Sequence, residues 1–557
     1  MKAVKYKHLV VLLCAGFAFY SCKKQNSAET LNLKNTAFVD SIRVLSGKGR
    51  VKLTGSLKEY AELGKIKISW GNGNEIVFPA GKTTIDTIIQ VGEGITLFTV
   101  TSYNKQDEAL DESVMIGTSY GDKYRSKLRN RAILMADYSP VSHTTTITWD
   151  ENKLFYNPVS IEAIYNDTKS ISSPATEQST TLPDYDVAKP IFKYRTIFKP
   201  DSTCIDTFAT AYTSSEIMNW SKAADSVQLS LNDFYIPSSK SYTQTYKSTN
   251  WGGYWPTAHV LDVLIDGYVR TGSAAYKTLM DDLLVGMKQK NGNKWLNNYY
   301  DDMEWMALAS LRAYKVTNDA KFKSVSDELW LYIKAGISTD MGGGIWENMD
   351  KKTKNAPSNG PAAIFAARNY SLFQVTDDLN KAKSIYSWEK ATLFSPTEGW
   401  VNDHIDLNKV ITTWRFTYNQ GTFLGAGLEL YKLTNESNYL NDAIKAADYT
   451  ISSLTNNGIL KVEGSGGSDA GLFKGIFIRY LTRLIIEGNL PADKKSDYLN
   501  FIKTNAETLW LKGRNKTLGT FQNDWTLNTE TQTFLTCQLS GIMLIEAMAE
   551  LRSKDLI

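Results

Sequence analysis

Tyr314-Lys315-Val316-Thr317-Asn318 decides how this chain folds, because the phrase recurs. Its counterparts are Tyr268-Val269-Arg270-Thr271-Gly272, Phe373-Gln374-Val375-Thr376-Asp377 and Tyr431-Lys432-Leu433-Thr434-Asn435, with a looser copy at Gly488-Asn489-Leu490-Pro491. Recurrence at a regular period marks one supersecondary unit stacked many times. Each copy reads as a tight turn between two helices. The segment before each turn is apolar almost all round, as over 301–316, 361–375, 422–433 and 471–486. The segment after it carries a single stripe, for instance Phe322, Val325, Leu329 and Ile333, three to four residues apart. All-round apolarity means a buried helix, and a stripe means a half-buried one. Buried helices are expected to start near 257, 301, 361, 422, 471 and 531, and half-buried ones near 206, 275, 319, 378, 437 and 492. Six of each predict a closed double ring, an (α/α)6 barrel over 204–557. A helical solenoid is the competing layout, but its last helix should show a polar outer face. Glu530 to Leu551 is as apolar as the middle helices.

Upstream the periodicity falls to two. Ile66-Lys67-Ile68-Ser69-Trp70 and Ile95-Thr96-Leu97-Phe98-Thr99-Val100 alternate between turn signals such as Gly71-Asn72-Gly73-Asn74. Two β-sandwich modules are expected, over 36–120 and 121–203, the first resembling fibronectin type III-like modules. At the start, Lys2, Lys5 and Lys7 precede an apolar run from Leu9 to Tyr20, too short to span a bilayer comfortably. The sequence Phe19-Tyr20-Ser21-Cys22 resembles a bacterial lipobox. It implies a signal peptide over 1–21, lipidation of Cys22, a tether over 22–35 and an outer-membrane address in a Gram-negative bacterium, on either the periplasmic or the cell-surface side. An ordinary signal peptide with an incidental cysteine is the other reading. Of the remaining cysteines outside the signal, Cys204 and Cys537 either pair or stay as buried thiols, the latter being expected.

With 557 residues, 42% apolar and 22% charged, the chain is globular and too long for one core. A net charge of +3 argues against a nucleic-acid partner. His8, His143, His259 and His404 are scattered without metal-ligand spacing, so no metal or cofactor is expected. A monomer is expected. Aromatic content is 12%, with 14 Trp and 30 Tyr; large cores account for part of that and a ligand cleft would account for more, and composition alone does not separate the two.

Buried helices of such a ring all run one way, so the loops entering them share one mouth. These loops hold Trp251, Tyr254 and Trp255; then Asn298, Tyr300, Asp301 and Asp302; then Trp346 and Asn359; then Asp403, Trp414, Tyr418, Asn419 and Gln420; then Lys474. Asp301 and Asp302 fall where an aromatic loop runs into a buried helix. Paired carboxylates beside flat rings are what glycoside hydrolysis needs. The alternative is that Asp301 caps the helix and Asp302 is solvated in its first turn. The aromatics stack on sugar or plug the core. Asn419 and Gln420 bond hydroxyls or cap the helix. Asp403 binds vicinal hydroxyls or steadies its loop. Lys474 reaches the cleft or turns outward. Glu304, one turn beyond Asp301, orients it or faces the ring interior.

Tyr299-Tyr300-Asp301-Asp302, Thr417-Tyr418-Asn419-Gln420-Gly421 and Phe473-Lys474-Gly475-Ile476, in this order, resemble glycoside hydrolase family 76 over about 204–551. The resemblance implies an endo-α-1,6-mannanase acting on mannan or manno-oligosaccharides with retention. Asp301 would be the nucleophile and Asp302 the acid/base. A helix N-terminus favours an ionised Asp301, and its charge raises the pKa of Asp302. Two rivals are a mannan transglycosylase of the same fold and a non-catalytic glycan-binding lipoprotein.

Overall fold

The computed structural model describes residues 41–557 except 59, 151–154, 465–467 and 530–531. The expected signal peptide, Cys22 and the tether lie outside the described residues. The chain divides into two compact units, residues up to Ala136 with Thr146–Glu216, and Asp137–Thr145 with Ile217–Ile557.

In the first unit, β1 (Arg43–Lys48), β2 (Arg50–Ser56), β3 (Leu63–Trp70), β4 (Asn74–Pro79), β5 (Thr84–Gln90), β6 (Gly94–Asn104) and β7 (Ala109–Tyr120) follow the order β4-β3-β6-β7-β1-β2-β5. β1 changes sheets: Arg43–Ser46 pair antiparallel with β2, while Gly47 and Lys48 pair parallel with β7. Val51 and Leu53 of β2 with Ile85 and Ile89 of β5 therefore face Ile66, Ile68, Phe98 and Val100 across a sandwich core. Alternate residues point to opposite faces of a strand, which is why these positions are two or four apart.

After a short helix, α1 (Asp122–Arg125), a second sheet is ordered Lys169–Pro174, Pro158–Tyr165, Ile191–Phe198 and Phe208–Ala209. Asp201 and Asp206 join it to the first. Asp201 accepts from Ser46 Oγ at 2.7 Å and Tyr120 OH at 3.0 Å, and Asp206 pairs with Arg50 at 2.5 Å. Thr213–Glu216 also pairs with Ile191–Phe198. The half-buried helix expected near 206 is thus two short strands, and the unit boundary falls after Glu216 rather than before Cys204. Thr207-Phe208-Ala209-Thr210 is rich in residues that suit a pleated surface. Cys204 and Cys537 are both buried and form no disulfide among the described residues.

The second unit is helical. Its inner helices are α3 (Tyr254–Thr271), α5 (Tyr300–Thr317), α7 (Ala356–Phe373), α9 (Thr417–Thr434), α11 (Ala470–Glu487) and α13 (Leu535–Ser553). Its outer helices are α2 (Trp220–Leu229), α4 (Ala274–Lys290), α6 (Ala320–Lys334), α8 (Thr376–Thr392), α10 (Ser437–Ser453) and α12 (Ala492–Thr508). Each inner helix packs on the next, and α13 returns to α3, which closes the ring. Close approach at the mouth end uses small residues: a Cβ on Gly360 would lie 2.6 Å from Thr422, and one on Gly475 2.7 Å from Ser540.

The recurrent phrase is a helix C-cap. Gly272, Asn318, Gln374 and Asn435 have φ of 68°, 54°, 58° and 58°. Each donates its N–H at 2.8 Å to the carbonyl four residues back, of Tyr268, Tyr314, Tyr370 and Tyr431. The left-handed conformation ends the helix, and Gly and Asn enter it most readily. The third copy is therefore in register at Tyr370–Gln374, not Phe373–Asp377. Gly488 is extended, with φ of −82°.

Towards their C-terminal ends the inner helices enclose a cavity of about 490 Å³ lined with charge. Arg312 of α5 meets Asp262 at 2.7 Å and Asp266 at 2.5 Å, and Arg479 of α11 meets the same two α3 carboxylates. Arg368 joins Glu429 at 2.6 Å, Lys432 joins Glu487 at 2.5 Å, Arg483 joins Glu550, and Arg270 joins Glu546 at 2.9 Å. Burial alone would push Asp266 up, but the Arg312 and Arg479 guanidiniums outweigh it and hold the carboxyl below its usual range.

Candidate active site

At the opposite end lie Asp301 and Asp302, in the first turn of α5. Asn297 organises the approach. Its Oδ1 accepts the Tyr299 N–H at 2.9 Å, and its Nδ2 donates to Asp302 Oδ2 at 2.9 Å. Asp301 Oδ1 accepts the Asp302 N–H at 2.9 Å, a donor that a helix N-terminus leaves free. The Tyr300 N–H donates to the Glu347 carbonyl at 2.9 Å, which ties α5 to the 342–347 loop.

Burial lifts the Asp301 carboxyl to about 7, against the N–H donors it receives, with Glu347 and Asp469 adding like charge. Asp302 is held well above its usual range by burial first, then by the charges of Asp301 and Asp469. The helix N-terminus thus does less for Asp301 than the sequence predicts, because removal from water opposes it. Glu304 is fully buried, and neither of its carboxyl oxygens has a hydrogen-bond partner among the described residues. It does not orient Asp301 by a hydrogen bond. Burial holds it, like Glu389, far above the carboxylate range.

An aromatic wall stands beside the pair. Tyr418 stacks on Phe473 with centroids 3.8 Å apart, Phe473 lies 6.4 Å from Trp255, and Trp255 donates to Asp469 at 3.2 Å. Below, His259 meets the Trp305 ring at 4.9 Å. Burial pushes His259 down to about 3, so the ring is neutral. Trp414 is 59% exposed and edges His404. His404 bonds Asp403 at 2.8 Å, and Asp403 also accepts from Asn419 at 3.2 Å. Asn298 is exposed and Trp251 half-buried.

Besides Asp403 and Asn419, six residues expected to face sugar are buried and committed to the protein itself. The Tyr254 hydroxyl donates to the Trp295 carbonyl at 2.7 Å. Tyr300 packs on Gly336, and Trp346 is buried beside Lys354. Asn359 and Gln420 act as clamps. Asn359 Oδ1 accepts the Ile345 N–H at 2.9 Å while its amide donates to the Ile345 carbonyl at 3.1 Å; Gln420 grips Val401 in the same two-point way. On α13, Gln538 accepts the Phe521 N–H at 2.9 Å. The Asn-Gly and Gln-Gly helix starts therefore pin the preceding loop. Lys474 lies over the Trp525 ring, 4.5 Å from its centroid, and donates to the Asn523 carbonyl; burial brings it down to about 8. Asn297, Glu347 and Asp469 were missed, although Asn297 adjoins Asn298, Glu347 adjoins Trp346, and Asp469 stands immediately before α11. Glu463, which accepts from the Thr417 N–H at 2.7 Å, was missed as well.

An (α/α)6 ring carrying adjacent acids at an aromatic mouth defines a glycoside hydrolase of the helical-toroid class. Residues 219–554 match the model of glycosyl hydrolase family 76, and the chain belongs to that family. Residues 31–208 match a domain of unknown function. No curated protein matches the chain. Among solved structures, the chain is similar to the GH76A α-1,6-mannanase of Salegentibacter sp. HEL1_6, with 44% identity, a TM-score of 0.58, and coverage of 60% of this chain and 99% of that one. An inactive variant of that enzyme, with two aspartates at consecutive positions changed to asparagine, is in complex with α-1,6-mannotriose at the same coverage and score. The Lin0763 protein of Listeria innocua is 32% identical over 60% of this chain and 99% of its own, with a TM-score of 0.56.

Proposed function

We propose that this glycoside hydrolase cuts α-1,6-mannosidic bonds inside mannan chains with retention of configuration. Asp301 attacks the anomeric carbon and forms a glycosyl ester. Asp302, protonated, gives its proton to the leaving oxygen and then takes one from the water that releases the sugar. The observation that carries the reading is the asymmetry of the pair. Burial raises both, but Asp301 receives an N–H at the helix start and comes to about 7, whereas Asp302 also feels its neighbour's charge and stands well above its usual range. That asymmetry makes the first ionise while the second still holds its proton. The consecutive aspartates in the inactive Salegentibacter variant support the assignment, and its mannotriose supports the linkage. Trp251, Trp255, Trp414 and Tyr418 are the rings left to stack on sugar, with Asp403 at the rim, steadied by buried Asn419.

The test is a reducing-end assay on linear α-1,6-mannan with Asp301→Asn and Asp302→Asn separately. Both variants lose activity on mannan, and a mannoside with an activated leaving group restores glycosylation only in Asp302→Asn. Wild-type turnover by either variant ends the assignment, and products longer than the substrate assign transglycosylation instead. We also propose that the protein acts as a lipid-anchored outer-membrane monomer. Cys22→Ser then moves it from the membrane fraction to the soluble one, and sedimentation of the released chain reports a single copy.

A further inference from the structure

Lys354 is fully buried on the short strand Thr353–Asn355, and no ion pair engages it among the described residues. Its ammonium donates to the carbonyls of Asp340 at 2.7 Å and Gly343 at 2.5 Å and to Ser338 Oγ at 3.1 Å. The carbonyls of Gly344 and Ser338 stand at 3.4 and 3.5 Å. The rings of Trp346 and Trp388 flank it at 4.7 and 5.7 Å. The loop around it is unusual. Met341, Gly342, Gly343 and Gly344 have φ of 53°, 88°, 135° and 76°, four consecutive residues on the left-handed side. Such a backbone is costly for Met341 and needs outside support. A compact ammonium with three radial donors suits a ring of carbonyls in a way that a planar guanidinium does not.

The same loop runs on to the reacting pair. Beyond Gly344 come Ile345, Trp346 and Glu347. The Glu347 N–H donates to the Thr353 carbonyl at 2.9 Å, and its own carbonyl takes the Tyr300 N–H, the first amide of α5. Its carboxylate accepts from Thr353 Oγ1 and adds like charge to Asp301.

We propose that Lys354 is a positioning residue: its ammonium occupies the place of a bound cation inside loop 338–344, and through that loop it sets Glu347 and the first turn of α5. The assignment rests on the reading of Asp301 and Asp302 as the reacting pair. Burial draws Lys354 down to about 8, against the pull of Asp340, which leaves it largely charged at neutral pH.

Two variants test this. Lys354→Met keeps the apolar stem and removes the charge. Its kcat on mannan falls about 10- to 100-fold with KM within about twofold, the scale of a small misplacement of reacting groups, and amide exchange in 338–347 accelerates. Lys354→Ala leaves a slot for propylammonium. Millimolar propylammonium restores at least about fivefold of its lost kcat and slows its loop exchange, and changes neither the wild type nor Lys354→Met. Wild-type kcat and exchange in Lys354→Met overturn the proposal, as does a folded Lys354→Ala indifferent to the amine. A wild type that leaves mannan intact defeats the catalytic reading, and the exchange measurements with and without propylammonium still judge the lysine.

Discussion

The two ends of the helical ring bury carboxyl groups to opposite effect. At the C-terminal ends of the inner helices, Asp262 and Asp266 each meet Arg312 and Arg479, and their affinity for protons falls. At the mouth, Asp301 and Asp302 are half-buried and Glu304 is fully buried, no cation pairs with them among the described residues, and their affinity for protons rises. Burial alone makes neither a structural pair nor a catalytic one; the presence of a counter-charge decides. The helix dipoles favour this layout, because six N-termini welcome negative charge at one end and six C-termini welcome positive charge at the other.

The contrast is broken most severely at the mouth itself. Asp302→Asn is expected to lower kcat on mannan by about 10³-fold, within the range for removing a general acid, and Asp301→Asn by at least as much. Both should raise stability at pH 7 by on the order of 1–3 kcal/mol in urea titrations, since folding no longer has to protonate or strand a carboxylate. A loss of stability in either variant would mean that the mouth carboxyls are compensated after all. At the far end the signs reverse. Asp266→Asn should cost about 3–5 kcal/mol, because it leaves buried guanidiniums short of a partner, while kcat per folded molecule stays near wild type.

Acid sharpens the contrast. Mouth carboxyls have raised folded values, so their penalty is absent below the ordinary carboxylate range and grows as pH rises towards about 7 for Asp301. Asp262 and Asp266 have depressed values, so their contribution is complete above that range and is lost as pH falls through the folded values. The stability gained by Asp302→Asn should therefore disappear near pH 4, roughly the ordinary value of an aspartate. The acid limb of kcat/KM should lie near neutrality rather than near pH 4; a flat profile down to pH 4 would show that Asp301 stays solvated. The smallest effect is at the rim. Trp414→Ala should raise KM about 2- to 10-fold, equivalent to one stacking contact, with no change in the urea midpoint.

The ring was legible because the inner and outer helices differ in how far apolar residues wrap round them, and because four returns carry a left-handed cap. Starts were less legible. The helix expected at 361 begins at Ala356, capped by Asn355, whose Oδ1 accepts the Ser358 N–H at 3.2 Å; Pro361 lies inside it. The helix expected at 422 begins at Thr417. Asn419 and Gln420 consequently belong to a buried first turn, and the polarity that suggested sugar contacts serves Asp403 and Val401 instead. Asp301 and Asp302 could be found because both acids are adjacent in the chain. Pairings such as Arg479 with Asp266, or Lys354 with the 338–344 carbonyls, join distant positions by packing that leaves no local pattern.

The closure of α13 onto α3 has a mechanical consequence. A rod of stacked repeats can fray from either tip, one repeat at a time. A hoop has no tip, and lifting out any one hairpin exposes the apolar flanks of two neighbours. The helical unit should therefore come apart as a whole, and no single hairpin can serve as its weak starting point.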